Sequence, residues 1–337
     1  MRRFHLLVTS VAFAAIVTAS AAPAADADRR PARLSVSKME YTLVPGPRGA
    51  DTVVFIHGLG SSQKTFAEVA RRLSRTYQVL IYSQRGHGKT AARGRDYSNA
   101  LLARDLKGLV DHLGLGKVHL VGHSLGGRTA VKYAAMFPDH VESLLIEDME
   151  MNQRRPSTAR HRRAIDRQAQ ALRRGYPEVY DSKDEIAERL TDFLEGDARW
   201  ARDTAESKTE VLPDGRVRLL LRPHANLLYR HHSNGEDLGP ELRSIRAPVM
   251  VLQADSPDGS ITDRGIEHMQ RFRPGVPIVK VVGSAHSIHK TNLEEFVSIA
   301  DQFFSRSSEG ALAKRSVRPS RAAGRRPTRA PARRARR

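Results

Sequence analysis

The sequence predicts an α/β protein with a doubly wound, mostly parallel sheet and an inserted helical cap. Short apolar runs typical of buried strands alternate with amphipathic helical runs. Right-handed crossovers then place helices on both faces of the sheet. The alternation is interrupted between residues 149 and 240. An insertion of this length is most simply a cap over the carboxyl ends of the strands, where such sheets bind ligands.

The first part of the alternation supplies four strands and three helices. The predicted strands are TVVFI, YQVLIYS, KVHLVGHS and VESLLIED. The helices between them are SQKTFAEVARRLS, NALLARDLKGLVDHLG and GGRTAVKYAAMFP, with Gly114 closing the second and Pro138 stopping the third. The segment RLSVSKMEYTLVPG adds one or two strands at the starting edge of the sheet. Together these elements form the first part of the core, residues 38–148.

The interruption carries its own pattern. RRAIDRQAQALRRG and KDEIAERLTDFLEGDARWARD are helical in period, and EVLPDGRVRLLLRP predicts a hairpin that turns at Asp214 and Gly215. The core then resumes over residues 241–305 with strand APVMVLQAD, helix TDRGIEHMQRF, strand PIVKVVG and helix NLEEFVSIADQFF. The insertion of residues 149–240 is therefore predicted to be a cap or lid.

The amino-terminal end has the features of an export signal. Residues 1–24 have a basic start, an apolar run and small residues suited to cleavage, and residues 25–37 are predicted to be a linker. The apolar run is short for a membrane span. We therefore expect a periplasmic or secreted protein without a transmembrane span in the mature chain. The sequence has no cysteine, which excludes disulfide bonds.

Much of the net charge of +19 comes from the carboxyl-terminal end. Residues 306–337 hold twelve Lys and Arg against Glu309 and contain almost no apolar bulk, which predicts a disordered tail. The tail is either a solvated segment or a non-specific contact for a polyanion. No aromatic residues stand among the arginines, so specific nucleic-acid recognition is not expected.

Ser124 is the strongest candidate for chemistry. It lies in a Gly-x-Ser-x-Gly sequence, Gly122 to Gly126, at the junction of a predicted strand and a predicted helix. A nucleophile elbow requires this context, because a sharp turn lifts the serine hydroxyl clear of the sheet. A plain glycine-rich connection is the alternative.

Other parts of the chain supply the groups that a nucleophilic serine needs. The oxyanion hole is predicted from the backbone N–H groups of Leu59 and Leu125, and His57 is interpreted as a structural hydrogen-bonding residue. His286, shortly after the strand PIVKVVG, is the predicted general base, with His289 as the alternative. Three aspartates at strand ends compete for the role of the acid that orients this base. They are Asp148, Asp255 and Asp258.

At this point the chain resembles the α/β-hydrolase family over about residues 38–305. The matching motifs, in the family's order, are His57-Gly58, Arg85-Gly86-His87-Gly88, Gly122-His123-Ser124-Leu125-Gly126-Gly127 and Ala285-His286. Two departures are Ser83-Gln84, where an acidic residue often stands, and Ala285, where glycine is common. The chain is similar to short-chain esterases whose acid follows the serine by 24 residues, which implies Asp148 ahead of Asp255 and Asp258.

These observations predict a serine hydrolase that cleaves a carboxylic ester, a thioester or a lactone without metal or organic cofactor. Carbon–carbon bond hydrolysis and cofactor-free peroxidation use the same triad and are the alternatives. A non-catalytic protein held at anionic surfaces by its arginine-rich tail is a third. Residues at the cap–core junction are predicted to line the substrate pocket, with ordinary packing as the alternative. They are His57, Gly58, His123, Met149, Met151, Leu227 and Tyr229.

Overall fold

A computed structural model describes residues 34–92, 94–152, 159–193, 198–233 and 235–316. Within these ranges the strands are β1 (Tyr41–Val44), β2 (Thr52–Ile56), β3 (Gln78–Tyr82), β4 (Val118–His123), β5 (Val141–Glu147), β6 (Val179–Tyr180), β7 (Thr209–Val211), β8 (Val217–Leu219), β9 (Val249–Ala254) and β10 (Ile278–Val281). The helices are α1 (Ala67–Leu73), α2 (Asn99–His112), α3 (Leu125–Met136), α4 (Ala159–Gly175), α5 (Lys183–Phe193), α6 (Ala198–Ser207), α7 (Pro223–His232), α8 (Gly239–Ser244), α9 (Asp263–Phe272), α10 (Ile288–Thr291) and α11 (Leu293–Ser316).

Seven strands form the central sheet in the order β1-β3-β2-β4-β5-β9-β10. Only β1 is antiparallel, to β3, and the other neighbours pair in parallel. Because the strands are parallel, the carboxyl ends of β2, β4, β5, β9 and β10 meet at one edge of the sheet. The predicted fold class, a doubly wound and mostly parallel α/β sheet, is confirmed.

The continuous apolar runs in the sequence arise because helices cover both faces of the sheet. All five residues of β2 are buried, and alternate residues enter opposite clusters: Val54 and Ile56 on one face, Val53 and Phe55 on the other. Burial on both faces removes the polar alternation that a half-exposed strand would show.

The insertion forms helices α4 to α7 and a small antiparallel sheet in the order β6-β8-β7. The hairpin turn that the sequence predicts lies at Gly215, whose φ of +85° favours glycine. The segment after this hairpin attaches to the loop that follows β3. The Gly88 N–H donates to the Leu220 carbonyl at 2.8 Å, and the Tyr229 hydroxyl donates to the Arg85 carbonyl at 2.8 Å.

Two boundaries differ from the predicted ones. Leu34, inside the predicted linker, is buried, and its N–H donates to Asp105 Oδ1 at 2.8 Å. Helix α11 continues to Ser316 and so takes in the first eleven residues of the predicted tail, because its Ala, Leu, Glu and Lys residues favour helix and Ser308 donates to Asp51 Oδ2 at 2.7 Å. Among the described residues, no helix is long and apolar enough to span a bilayer. The predicted signal peptide, residues 1–24, and residues 317–337 lie outside the described residues, so export and polyanion contact stay predictions.

Several histidines are buried in this fold. Burial lowers the pKa of His57, His119 and His224 to about 4 and that of His123 to about 3. A histidine whose pKa is lower in the folded state binds protons more tightly when unfolded, so protonation favours unfolding. The stability that depends on neutral histidines is complete above pH 6.5 and is lost as the pH falls toward 4.

We therefore expect the free energy of unfolding to fall steeply between pH 6.5 and pH 4.5, before the carboxylates titrate. Each of these histidines contributes about 2 kcal/mol to this fall, because one proton bound by the unfolded state alone changes the free energy by at most 1.36 kcal/mol per pH unit. Urea unfolding at several pH values measures it. His119→Gln should reduce the fall, whereas His112→Gln, which changes an exposed histidine, should leave it as it is. A free energy that stays constant over this range would contradict the prediction.

Candidate functional site

Ser124 is the single residue between β4 and α3, and its backbone conformation is strained. Its φ of 52° and ψ of −118° lie outside the regions that L-residues ordinarily occupy. The close approach of strand and helix requires glycine here, because a Cβ on Gly126 would lie 2.0 Å from the Ile56 carbonyl oxygen. This is the geometry of a nucleophile elbow, in which the serine hydroxyl is presented at the carboxyl edge of the sheet.

Asp148 and His286 are in direct contact. His286 Nδ1 donates to Asp148 Oδ2 at 2.6 Å. The Ala254 N–H donates to Asp148 Oδ1 at 3.1 Å, and the Ser260 N–H donates to Oδ2 at 2.7 Å. Burial alone would raise the pKa of Asp148, but the hydrogen bonds from His286 and the two amides offset it and hold the pKa below its ordinary value. The carboxylate is therefore ionised and fixed in orientation.

The other two aspartates face elsewhere. Asp255 accepts from the Gly283 N–H at 3.1 Å and pairs with Lys280 at 3.1 Å, and these two contacts lower its pKa. Among the described residues, Asp258 makes only a local turn contact, through its own N–H to the Ser256 hydroxyl. Of the three predicted acids, Asp148 is the one in contact with His286.

The loop after β2 carries the predicted oxyanion donor. Within the described part of the chain, the N–H groups of Leu59 and Leu125 have no protein acceptor. Leu125 is also the first residue of α3, where the helix dipole favours negative charge. A Cβ on Gly58 would lie 3.2 Å from the Ser124 Cβ, so this loop runs directly past the serine.

Two histidines hold this loop without exposing a ring to solvent. The His57 ring donates through Nδ1 to the Gly58 carbonyl at 2.8 Å and accepts the Gln84 N–H at 2.9 Å. His87 Nε2 accepts the Gly60 N–H at 3.1 Å. Burial lowers the pKa of both histidines, so both rings are neutral at pH 7. Gln84 also bonds the His57 carbonyl at 2.8 Å and accepts from Thr129 of α3 at 2.8 Å, which ties the loop to the helix after Ser124.

A second acid–histidine pair lies beside the first. Glu147, the residue before Asp148, accepts from His289 Nδ1 at 2.8 Å and from the His289 N–H at 2.9 Å. Burial opposes ionisation of Glu147, but the charge and hydrogen bonds of His289 outweigh it and lower its pKa. His289 Nε2 contacts the Thr65 hydroxyl at 2.8 Å. Both side chains of the pair are fully buried, so His289 is not positioned to serve as a general base.

His123 lies between the two pairs. Its ring centroid is 4.6 Å from that of His286 and 5.1 Å from that of His289. Its Nε2 donates to the His286 carbonyl at 2.9 Å. The side chain of His286 itself is 32% exposed, whereas His123 and His289 are buried.

The residues predicted to line a pocket divide into two groups. Met149 and Met151 are buried in the core cluster beneath α3, and Tyr229 is buried with its hydroxyl on the Arg85 carbonyl. These three are packing residues, because their side chains have no surface left to offer, and this corrects the prediction. His57, Gly58 and His123 are buried as well, and Leu227 is partly exposed at the margin of the apolar cluster between cap and core.

Sequence reasoning did not identify Ser260 or the Glu147–His289 pair. Ser260 reaches the site twice, through its N–H to Asp148 and through its hydroxyl, 3.2 Å from His286 Nδ1. The signal available for the pair was a charged residue at the end of the apolar run VESLLIE. Within the described ranges, no cluster of three or more His, Asp or Glu side chains is suited to hold a metal ion.

A sequence model of the Alpha/beta hydrolase family matches residues 53–299, most of the chain. The 2-(acetamidomethylene)succinate hydrolase of Mesorhizobium japonicum is 28% identical over 245 residues, covering 72% of this chain and 84% of that protein. The sn-1-specific diacylglycerol lipase ABHD11 of Mus musculus is 39% identical over 126 residues, covering 37% of this chain and 39% of that protein. A crystal structure of E-2-(acetamidomethylene)succinate hydrolase aligns with a TM-score of 0.58 at 25% identity, over 81% of this chain and 98% of that one.

Proposed function

The chain belongs to the alpha/beta hydrolase family, and on this premise we propose that it cleaves carboxylic esters through an acyl-enzyme formed on Ser124. The observation that carries the proposal is the 2.6 Å contact of His286 with Asp148, at the same sheet edge as the strained Ser124. A nucleophilic serine, a histidine base and a carboxylate that orients the histidine are the components of serine-hydrolase chemistry.

In the proposed mechanism Ser124 attacks the ester carbonyl while His286 accepts the serine proton. The hydrogen bond to Asp148 keeps the proton of neutral His286 on Nδ1, so that Nε2 has the lone pair the reaction needs. His286 then returns the proton to the leaving alcohol. Water, activated by the same histidine, hydrolyses the acyl-enzyme.

The N–H groups of Leu59 and Leu125 would bind the oxyanion of the tetrahedral intermediate. Their lack of an acceptor within the described residues supports this role, because an oxyanion hole keeps donors ready for charge that develops only during the reaction. The bonds from His57, Gln84 and His87 hold the loop of Leu59 in place before substrate arrives.

The test is turnover of a p-nitrophenyl ester series by the wild-type protein and by Ser124→Ala. We expect the variant to lose on the order of 10⁶ in kcat, as removal of a triad serine does elsewhere. Labelling by a fluorophosphonate probe, which reacts with activated serines, should disappear with it. Equal turnover by the two proteins would overturn the proposal.

A wild-type protein that takes the fluorophosphonate but cleaves no ester would point to the other reactions that use the same triad. Carbon–carbon bond hydrolysis and cofactor-free peroxidation are the two alternatives in this case. A protein that takes neither the probe nor any ester would favour the non-catalytic alternative.

A further inference from the structure

A cleft of about 490 Å³ opens between the core and the cap. It lies beside the loop after β2, residues 57–62, which carries the proposed oxyanion donor Leu59 and is called the oxyanion loop below. One wall is the loop after β2, from Gly60 to Ser62. The opposite wall is the cap segment Lys208–Val211, which includes β7. Lys290 of α10 closes a third side. The cleft therefore starts one residue after Leu59 and also borders the helix that follows His286.

The charges that line the cleft are unbalanced. Its one acidic residue, Glu210, is already paired with Lys64 at 2.7 Å and lies 3.7 Å from Arg218. Neither Lys208 nor Lys290 has a carboxylate within 4.0 Å among the described residues. Desolvation and the nearby charge of Lys290 both lower the pKa of Lys208. Two lysines without an ion-pair partner among the described residues thus line one cleft.

The two lysines are held at the cleft by their surroundings. The aliphatic stem of Lys208 packs against the oxyanion loop, where a Cβ on Gly60 would lie 3.4 Å from the Lys208 Cδ. Lys290 directly follows His289, which is fixed by Glu147 and by Thr65, itself a residue of the cleft wall. Both ammonium groups therefore stand on anchored segments rather than on a free loop.

We propose that this cleft binds a carboxylate group of the substrate through Lys208 and Lys290, so that the preferred substrates are small anionic esters. The inference deepens the ester hydrolysis proposed above and rests on it. A carboxylate bound between two ammonium groups would relieve their repulsion and would orient the ester past the oxyanion loop.

The test compares esters that differ only in charge. Monoethyl succinate against ethyl pentanoate places the charge on the acyl side, and 4-acetoxybenzoate against its methyl ester places it on the alcohol side. Hydrolysis is followed by pH-stat titration. We expect the wild-type protein to prefer the charged member of at least one pair, and the pair that shows the preference identifies the side of the scissile bond that faces the cleft.

The double variant Lys208→Gln/Lys290→Gln should lower the ratio of kcat/KM for charged over neutral ester roughly tenfold, as expected for two partly exposed charge contacts. Raising the salt concentration should lower the ratio in the wild-type protein as well. Lys117→Gln, a change of the same type on the loop before β4, should leave the ratio as it is. An unchanged ratio in the double variant, with neutral esters still hydrolysed, would overturn the cleft proposal alone.

Binding to a protein that cannot turn over separates the cleft from the reaction. Calorimetry with Ser124→Ala and monoethyl succinate should detect binding that is lost when Lys208 and Lys290 are also changed to Gln. If the wild-type protein hydrolyses no ester but Ser124→Ala still binds monoethyl succinate through the two lysines, the proposed ester hydrolysis is refuted and the anion site is supported. Binding that does not depend on the lysines would refute the anion site. Free succinate as a competitor tests whether the carboxylate alone suffices.

Discussion

If Asp148 has the proposed role, Asp148→Asn should lower kcat by about 10⁴ and leave the fold intact, as loss of the triad aspartate does in serine proteases. The amide keeps the shape of the side chain but can donate a hydrogen bond to His286 Nδ1, which favours the wrong tautomer of the imidazole. It also removes the negative charge that stabilises the imidazolium formed during attack. Steady-state kinetics on a p-nitrophenyl ester, with circular dichroism as the check on folding, measures the effect.

Asp255→Asn is the matched control. Asp255 lies at the end of β9, the strand next to β5, but its carboxylate contacts Gly283 and Lys280 rather than His286. We expect its kcat to change by less than about threefold, because only a partly exposed ion pair is lost. If Asp255→Asn lost the activity and Asp148→Asn kept it, the assignment of Asp148 would be wrong.

Glu147→Gln should destabilise the protein by about 1.5–3 kcal/mol, the range for hydrogen bonds to a charged group. Glu147 Oε1 accepts from both the ring and the backbone N–H of His289, and a neutral amide oxygen binds these donors more weakly. Because the pKa of Glu147 is lowered in the folded state, its contribution is complete above pH 4.5 and is lost as the pH falls through the folded pKa. Urea unfolding at pH 7 measures the change.

Glu142→Gln is the control on the same strand. Its carboxylate lies 3.9 Å from Lys117, whose side chain is 46% exposed, so the loss should stay below about 1 kcal/mol. A double-mutant cycle with His289→Gln adds a second check. A coupling energy close to zero between Glu147 and His289 would show that the two side chains do not stabilise each other.

The sheet could be predicted from the sequence because strands that are buried on both faces have continuous apolar runs, and these runs are visible in the sequence. The two boundaries that differ involve weaker signals. Leu34 stands among polar residues at the start of its segment, and its N–H donates to Asp105 Oδ1, far along the chain. Helix α11 reaches Ser316 through helix-favouring residues that precede the arginine-rich stretch, and the contact of Ser308 with Asp51 joins residues that are distant in sequence.

Ser124 and His286 could be proposed from the sequence because each lies in a short motif with a fixed place in the fold. The choice between Asp148 and Asp255 was harder, since β5 and β9 are neighbours and both end near the histidine loop. What separates them is backbone conformation: Asp148 has a φ of 40°, and its carboxylate accepts from the Ala254 and Ser260 amides. A turn of this kind is a tertiary property, and side-chain direction after a strand cannot be read from spacing.

The cap is attached to the loop after β3, and this attachment limits how freely the cap can be exchanged. Leu220 and Leu221 of the cap pair with the backbone of His87 and Gly88, and the His87 ring holds the amide of Gly60. The cap segment thereby also fixes the loop that contains Leu59, the proposed oxyanion donor. If another cap replaced this one, the loop that contains Leu59 would lose these contacts. We therefore expect exchange of the cap to change the rate of the reaction as well as its specificity.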